Sequence, residues 1–287
     1  MEIKVGKLAG FCGGVINSVS KTDKILEDGK KTYCLGELVH NKQVVDKLKN
    51  KGLVLIESLD EVEDCSRVII RAHGVTKDIY ELANMKNLKV IDLTCPNVLR
   101  IHEKAIKLVE EDFFILLIAQ KDHPEAIGTI SFCGKDSVIL EDKNGISEAV
   151  RLFENSSKTK LAVISQTTYS MIKFDELVEE LKNQLNEYEL NIDNTICSAT
   201  ELRQKETSKL ASEVDAMIII GGKNSSNTKK LYDIASSKCG NTFIVETIND
   251  LDTDMTCYDV VGVMAGASTP KESIDDVVRY LENVNKL

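Results

Sequence analysis

The chain has 287 residues, with 36 Lys and Arg against 46 Asp and Glu, a formal net charge of −10. Its hydrophobic fraction of 43% is too high for a disordered protein, and at roughly 100–200 residues per domain the length allows two or three small domains. An acidic chain without a Lys/Arg-rich run is not built to hold a phosphate backbone, so no nucleic-acid partner is expected.

The opening Met1-Glu-Ile-Lys-Val reads as a strand, not as a charged-then-apolar leader. The longest apolar stretch, Phe113 to Ala119, falls far short of the ~20 residues that a membrane span needs. These features predict a cytoplasmic protein with no membrane association. Cysteines stand at 12, 34, 65, 95, 133, 197, 239 and 257, with no Cys-x-x-Cys pair. In an unexported chain they are expected as reduced thiols, and the compact zinc-finger and thioredoxin spacings are absent.

Three of these cysteines open similar segments. Cys12 leads into Gly13 to Leu26, Cys95 into Pro96 to Val109 and Cys197 into Ser198 to Leu210. Each segment has helical spacing, as in Val98, Ile101, Ala105 and Leu108, and Pro96 suits a first helical position. Counting forward, His40, His123 and Ser225 each lie 28 residues beyond their cysteine, after a strand-like run and before another helical stretch. A second set of polar corners follows, at His73-Gly-Val, Gln166-Thr167-Thr168 and Gly266-Ala-Ser268-Thr269.

Three units thus share the order Cys–helix, strand–corner–helix, strand–corner–helix. Strands alternating with helices predict parallel βαβ units, whose ligands bind at the carboxyl ends of strands. The fold expected is α/β, with three similar lobes, each a small parallel sheet flanked by helices. The boundaries read are 14–95, 96–194 and 195–287, with the strand in 1–13 joining the third lobe.

Thiols at three helix N-termini are candidate soft-metal ligands, because the helix dipole favours the thiolate. The other five cysteines are expected to be small buried hydrophobes. A 4Fe–4S cluster held by Cys12, Cys95 and Cys197 would leave one iron open to a substrate oxygen. Ser225, Ser226 and Asn227, and the small-residue corner ending in Ser268, offer donors that suit a phosphate. His40, His73 and His123 can donate to phosphate oxygens or shuttle protons, whereas His102 lies inside a helix and reads as structural. Taken singly, each corner residue is more often a helix cap than a ligand. Glu125 is either a general acid with a raised pKa or a first-turn helix stabiliser, and Thr167 either a cap or a proton-relay hydroxyl. There is no P-loop or GxGxxG to bind ATP or NAD.

In order along the chain, Gly10-Phe-Cys12-Gly-Gly-Val, Val39-His40-Asn41, Ala72-His73-Gly-Val, Thr94-Cys95-Pro96, His123-Pro-Glu125, Gln166-Thr167-Thr168, Cys197, Lys223-Asn-Ser-Ser-Asn227 and Ala265-Gly-Ala-Ser268 resemble the 4-hydroxy-3-methylbut-2-enyl diphosphate reductases. The resemblance covers nearly the whole chain. It implies a three-lobed α/β fold around a 4Fe–4S cluster on Cys12, Cys95 and Cys197, and substrate contacts from His40, His73, His123, Thr167, Ser225, Ser226, Asn227 and Ser268. It also implies proton donation by Glu125 and electrons from a ferredoxin- or flavodoxin-like partner. The implied reaction removes the hydroxyl of an allylic diphosphate as water, giving isopentenyl and dimethylallyl diphosphate. Asp122 and Leu93 stand where the family often has Gly and Ala, and neither changes a functional group. Two other readings use the same residues: a quinolinate-synthase-like dehydratase without net reduction, and a binding protein with a structural metal.

Overall fold

The computed structural model describes residues 1–284, so positions 285–287, the end of the third expected lobe, lie outside the described residues. Strands and helices alternate in chain order: β1 Glu2–Val5, α1 Gly13–Leu26, β2 Thr32–Leu35, α2 Lys42–Asn50, β3 Leu53–Ile56, β4 Arg67–Ile70, α3 Lys77–Met85, β5 Lys89–Asp92, α4 Pro96–Glu110, β6 Phe114–Ile118, α5 Pro124–Ile130, β7 Ser137–Leu140, α6 Ile146–Glu154, β8 Lys160–Ser165, α7 Met171–Gln184, β9 Glu189–Ile192, α8 Ser198–Ala211, β10 Ala216–Ile220, α9 Ser226–Ser236, β11 Thr242–Val245, β12 Val260–Ala265 and α10 Lys271–Val284.

The strands form three sheets of four, in the orders β3-β2-β4-β5, β7-β6-β8-β9 and β11-β10-β12-β1, and every pairing is parallel. Three parallel sheets flanked by helices are the α/β architecture expected. The three orders are one pattern repeated. In the third sheet, β1 takes the place that β5 and β9 hold in the others, pairing Glu2 to Val5 with Val260 to Val263.

Central strands are covered on both faces, so they read as unbroken apolar runs rather than alternating ones. Phe114, Leu116 and Ile118 of β6 pack with Phe153 of α6 and Phe174, Leu177 and Leu181 of α7. From the opposite face Ile115 and Leu117 meet Ile101, Ala105 and Leu108 of α4. In the third sheet Ile218, Ile220, Val261 and Val263 pack with Ile274, Val277 and Leu281 of α10, while Met217, Ile219 and Met264 meet Leu210 of α8 and Leu231 of α9.

The chain forms two compact units. One comprises Met1–Ile16, Val39–Lys47 and everything from Ser198 onward, and the other Asn17–Leu38 with Leu48–Cys197. His40 therefore belongs with the third sheet rather than with the first. In each sheet the order reverses between two central strands, β2 and β4, β6 and β8, or β10 and β12. Crevices outside the carboxyl ends of such strands are where open α/β sheets bind ligands.

Candidate active site

The polar corners keep one register across all three sheets. His40, His123 and Ser225 each lie five residues past the ends of β2, β6 and β10. The residues two past the ends of β4, β8 and β12 are Ala72, Thr167 and Ala267. Their carbonyls accept the backbone N–H of Cys95 at 3.0 Å, Cys197 at 3.1 Å and Cys12 at 3.1 Å. The same bond in each lobe thus fixes a cysteine just ahead of α4, α8 and α1.

In the unit that carries the third sheet, Ser225 caps α9, its Oγ accepting the Thr228 N–H at 3.4 Å. Ser225, Ser226, Asn227 and Ser268 are all buried, yet Ser226 Oγ and both amide atoms of Asn227 have no hydrogen-bond partner. Buried polar groups are nearly always paired, and leaving one unpaired costs about 1–3 kcal/mol. Orphaned donors at a helix N-terminus describe a cradle for an anion. His40 is tied to it: Ser268 Oγ donates to the His40 carbonyl at 3.1 Å. Gly222 lies so close to that carbonyl that a Cβ would sit 2.5 Å from it, leaving glycine as the residue that fits.

In the other unit, Glu125 sits in the first turn of α5 with 2% of its surface exposed. Thr167 donates its N–H to Glu125 Oε1 at 2.6 Å and its hydroxyl to Oε2 at 2.7 Å. Burial pushes the carboxyl up to about 7, against the pull of both Thr167 hydrogen bonds toward the charged form. His123 caps α5, its Nδ1 accepting the Glu125 N–H at 3.1 Å, and its ring meets that of His73 edge-on with centroids 5.5 Å apart. A carboxyl poised near neutrality beside a hydroxyl and two imidazoles can move a proton.

Cys12, Cys95 and Cys197 are half-buried, whereas Cys34, Cys133 and Cys239 are buried. Burial pushes the Cys34 and Cys133 thiols up to about 12, which makes them poor ligands. Cys65 and Cys257, expected to be buried, are exposed. Cys65 occupies a left-handed turn position (φ 61°) ahead of β4, and Cys257 a short 3₁₀ turn where its Sγ donates to the Asp254 carbonyl at 3.2 Å. Three half-buried thiols, each at a helix start and each held by the same backbone bond, fit a soft-metal cluster as a donor set.

His102 is structural, as read from the sequence. It is buried, it stacks on Phe132 with centroids 4.3 Å apart, and burial holds its imidazole down to about 4. The sequence reading places Thr168 in a polar corner but gives it no role of its own. It lies three residues past the end of β8, the register of His73 and Ser268, and its hydroxyl accepts from Gln166 Nε2 at 2.9 Å. Counting from the strand ends would have singled it out.

These features define an α/β protein of three parallel sheets, with buried unpaired polar atoms at the N-terminus of α9 and a buried carboxyl–hydroxyl pair. A family described as LytB protein matches residues 3–282, and the chain belongs to that family. A 4-hydroxy-3-methylbut-2-enyl diphosphate reductase of Clostridioides difficile (strain 630) is 38% identical over 286 residues, covering 99% of this chain and 100% of the relative. A solved structure of the E-1-hydroxy-2-methyl-but-2-enyl-4-diphosphate reductase from Plasmodium falciparum matches with a TM-score of 0.92 at 31% identity, over 98% of this chain and 88% of that one. A second solved structure, of (E)-4-hydroxy-3-methyl-but-2-enyl diphosphate reductase, the terminal enzyme of the non-mevalonate pathway, matches with a TM-score of 0.70 at 37% identity, over 99% and 100%. Among the described residues, no helix is long and apolar enough to cross a membrane.

Proposed function

We propose that this chain is an oxidoreductase converting (E)-4-hydroxy-3-methylbut-2-enyl diphosphate to isopentenyl and dimethylallyl diphosphate, with loss of the allylic hydroxyl as water, the last step of isoprenoid supply by the non-mevalonate route. Two electrons and two protons enter, and the C–O bond breaks. The observation that carries this reading is the buried Glu125 carboxyl, pushed up to about 7 and hydrogen-bonded twice by Thr167.

Cys12, Cys95 and Cys197 would hold a 4Fe–4S cluster. When bound, it would supply the electrons and, at the iron that three thiolates leave without a protein ligand, Lewis acidity. Glu125 holds the proton that the departing hydroxyl needs, and Thr167 Oγ1 orients that carboxyl. Ser225, Ser226, Asn227, Ser268, Thr168 and the three histidines anchor the diphosphate and so hold the substrate for reaction. Neutral donors and a helix N-terminus, rather than arginines, bind the anion in a chain of net charge −10. The lobes run 14–95, 96–194 and 195–287 with β1 in the third, the protein works in the cytoplasm, and a ferredoxin- or flavodoxin-like protein delivers the electrons.

The test is anaerobic turnover with dithionite and a viologen dye. Oxidation of two dye equivalents per diphosphate consumed supports the reductase. Consumption of substrate without dye oxidation would favour a dehydratase. A chain that holds no iron after reconstitution would remove the cluster, and with it the reduction.

A further inference from the structure

The three cysteines share a backbone hydrogen bond, but the segments that lead into them are held by different chemistry. Ahead of Cys95, the Asp92 carboxylate accepts the Thr94 N–H at 2.9 Å and its hydroxyl at 2.5 Å. Ahead of Cys197, the Thr195 hydroxyl accepts the Ser165 N–H at 2.7 Å and donates to the Ser165 carbonyl at 2.5 Å. Ahead of Cys12 the arrangement is heavier and comes from a distant part of the chain. Arg203 of α8, 4% exposed, donates from Nε to the Leu8 carbonyl at 2.9 Å and from Nη2 to the Gly10 carbonyl at 2.8 Å. One turn further along α8, Glu206 accepts the Lys7 N–H at 2.7 Å and the Leu8 N–H at 2.8 Å.

These four bonds hold three of the four residues from 7 to 10, namely Lys7, Leu8 and Gly10, and the last of them, Gly10, has φ +97°, a conformation that needs glycine. One partner in each bond is a charged side chain, which makes it stronger than a neutral one. A guanidinium is rarely buried without purpose, because desolvating it is costly unless its donors are matched. Here two of its donors are spent on the loop that ends at Cys12. The helix that bears the clamp, α8, begins at Ser198, directly after Cys197. One helix therefore carries Cys197 by chain continuity and steadies Cys12 by hydrogen bonds.

We infer that Arg203 and Glu206 are positioning residues that preorganise the Cys12 loop for metal binding. The inference rests on the proposed role of Cys12 as a ligand, but the clamp can be read without any metal. Lys7, gripped by Glu206 through its N–H, offers a trypsin site at the Lys7–Leu8 bond.

The experiment uses the full-length chain with Arg203→Gln, Arg203→Lys and Glu206→Gln. A Lys205→Ala control alters only the exposed pair with Glu201 on the same helix. A Phe153→Leu control lowers stability from the core that β6 forms with α6 and α7. Three readouts are taken: trypsin cleavage after Lys7 in the metal-free protein, iron released to a chelator from the reconstituted protein, and the thermal midpoint. Arg203→Gln is expected to speed both cleavage and iron release by about tenfold, the effect of losing one to two charged hydrogen bonds. Glu206→Gln, which keeps an acceptor oxygen, should fall between it and wild type. Arg203→Lys should not rescue, since an ammonium lacks the fork that reaches both carbonyls.

Wild-type cleavage and iron retention in both Arg203→Gln and Glu206→Gln would overturn the clamp. So would equal iron loss in Phe153→Leu at a matched thermal midpoint, which would make the effect general instability. Full rescue by Arg203→Lys would replace positioning with charge alone. Faster cleavage after Lys7 with unchanged iron retention would keep the clamp on the loop but refute its service to the metal, and iron retained by Cys12→Ser would refute the ligand assignment itself.

Discussion

Thr167 spends all three of its polar groups on the candidate site. Its N–H and hydroxyl go to the two oxygens of Glu125, at 2.6 Å and 2.7 Å, and its carbonyl accepts the Cys197 N–H at 3.1 Å. The Glu125 carboxyl and the backbone of Cys197 are therefore fixed to the same residue. Replacing Glu125 by Gln keeps the shape and both hydrogen-bond positions but removes the proton. Turnover is expected to fall by about 10²–10⁴-fold, the range for a lost general acid, with iron content and pyrophosphate binding at wild-type values. With Glu125 in the proposed role of proton donor, wild-type kcat should decline as pH rises through about 7. A rate flat from pH 6 to about 9, or an unimpaired Glu125→Gln, would remove Glu125 from the reaction.

The orphaned atoms of Ser226 and Asn227 predict a split between stability and binding. In the free protein these buried groups carry a desolvation cost with no return, so Ser226→Ala should leave the thermal midpoint unchanged or raise it. The same substitution should weaken the diphosphate. In a thermal-shift titration with inorganic pyrophosphate, the wild type should be stabilised and Ser226→Ala much less so, with KM for substrate raised roughly tenfold for one lost charge-assisted bond. A Ser226→Ala that is destabilised yet binds pyrophosphate normally would make this corner a structural cap.

The cysteines divide by burial. Cys12→Ser, Cys95→Ser and Cys197→Ser are each expected to lose iron and sulfide after anaerobic reconstitution. Cys133→Ser should keep both, because that thiol is buried, is pushed up to about 12 and donates to the Thr129 carbonyl at 3.4 Å. Its cost should appear in stability alone. Equal iron loss in Cys133→Ser would show that the three half-buried thiols are the wrong set.

How much of this was legible in the sequence follows from the range of each interaction. Helices after the three cysteines, the apolar central strands and the 28-residue spacing are local patterns, and they were readable. The edge of the third sheet is β1, from the opposite end of the chain; the sequence reading put the strand in 1–13 with the third lobe, and β1 pairs with β12. Thr168 was named in its corner without a role, because its match to His73 and Ser268 shows only by distance from the strand end. Cys65 and Cys257 were misread because composition gives an average burial, whereas a left-handed turn and a short 3₁₀ turn hold these two at the surface. The Arg203–Glu206 grip on residues 7 to 10 spans nearly two hundred residues of sequence, and no window could have joined them.

Two buried titrating groups make opposite demands on stability, and their difference is measurable. Glu125 has its folded pKa raised from 4.5 to about 7, so its contribution is full below pH 4.5 and is lost as pH rises to about 7. His102 has its folded pKa lowered from 6.5 to about 4 by burial, so its contribution is full above pH 6.5 and is lost as pH falls to about 4. Each shift corresponds to about 3 kcal/mol. Between pH 4.5 and 6.5 the two slopes oppose each other and largely cancel in the wild type. Urea unfolding of the metal-free chain across that window should expose them one at a time. Relative to wild type, Glu125→Gln should lose stability as pH falls, because only the imidazole penalty remains. His102→Leu should lose stability as pH rises, because only the carboxylate penalty remains. Parallel curves for all three proteins would mean that neither group is held away from its ordinary pKa, and the proton-donor reading of Glu125 would lose its physical basis.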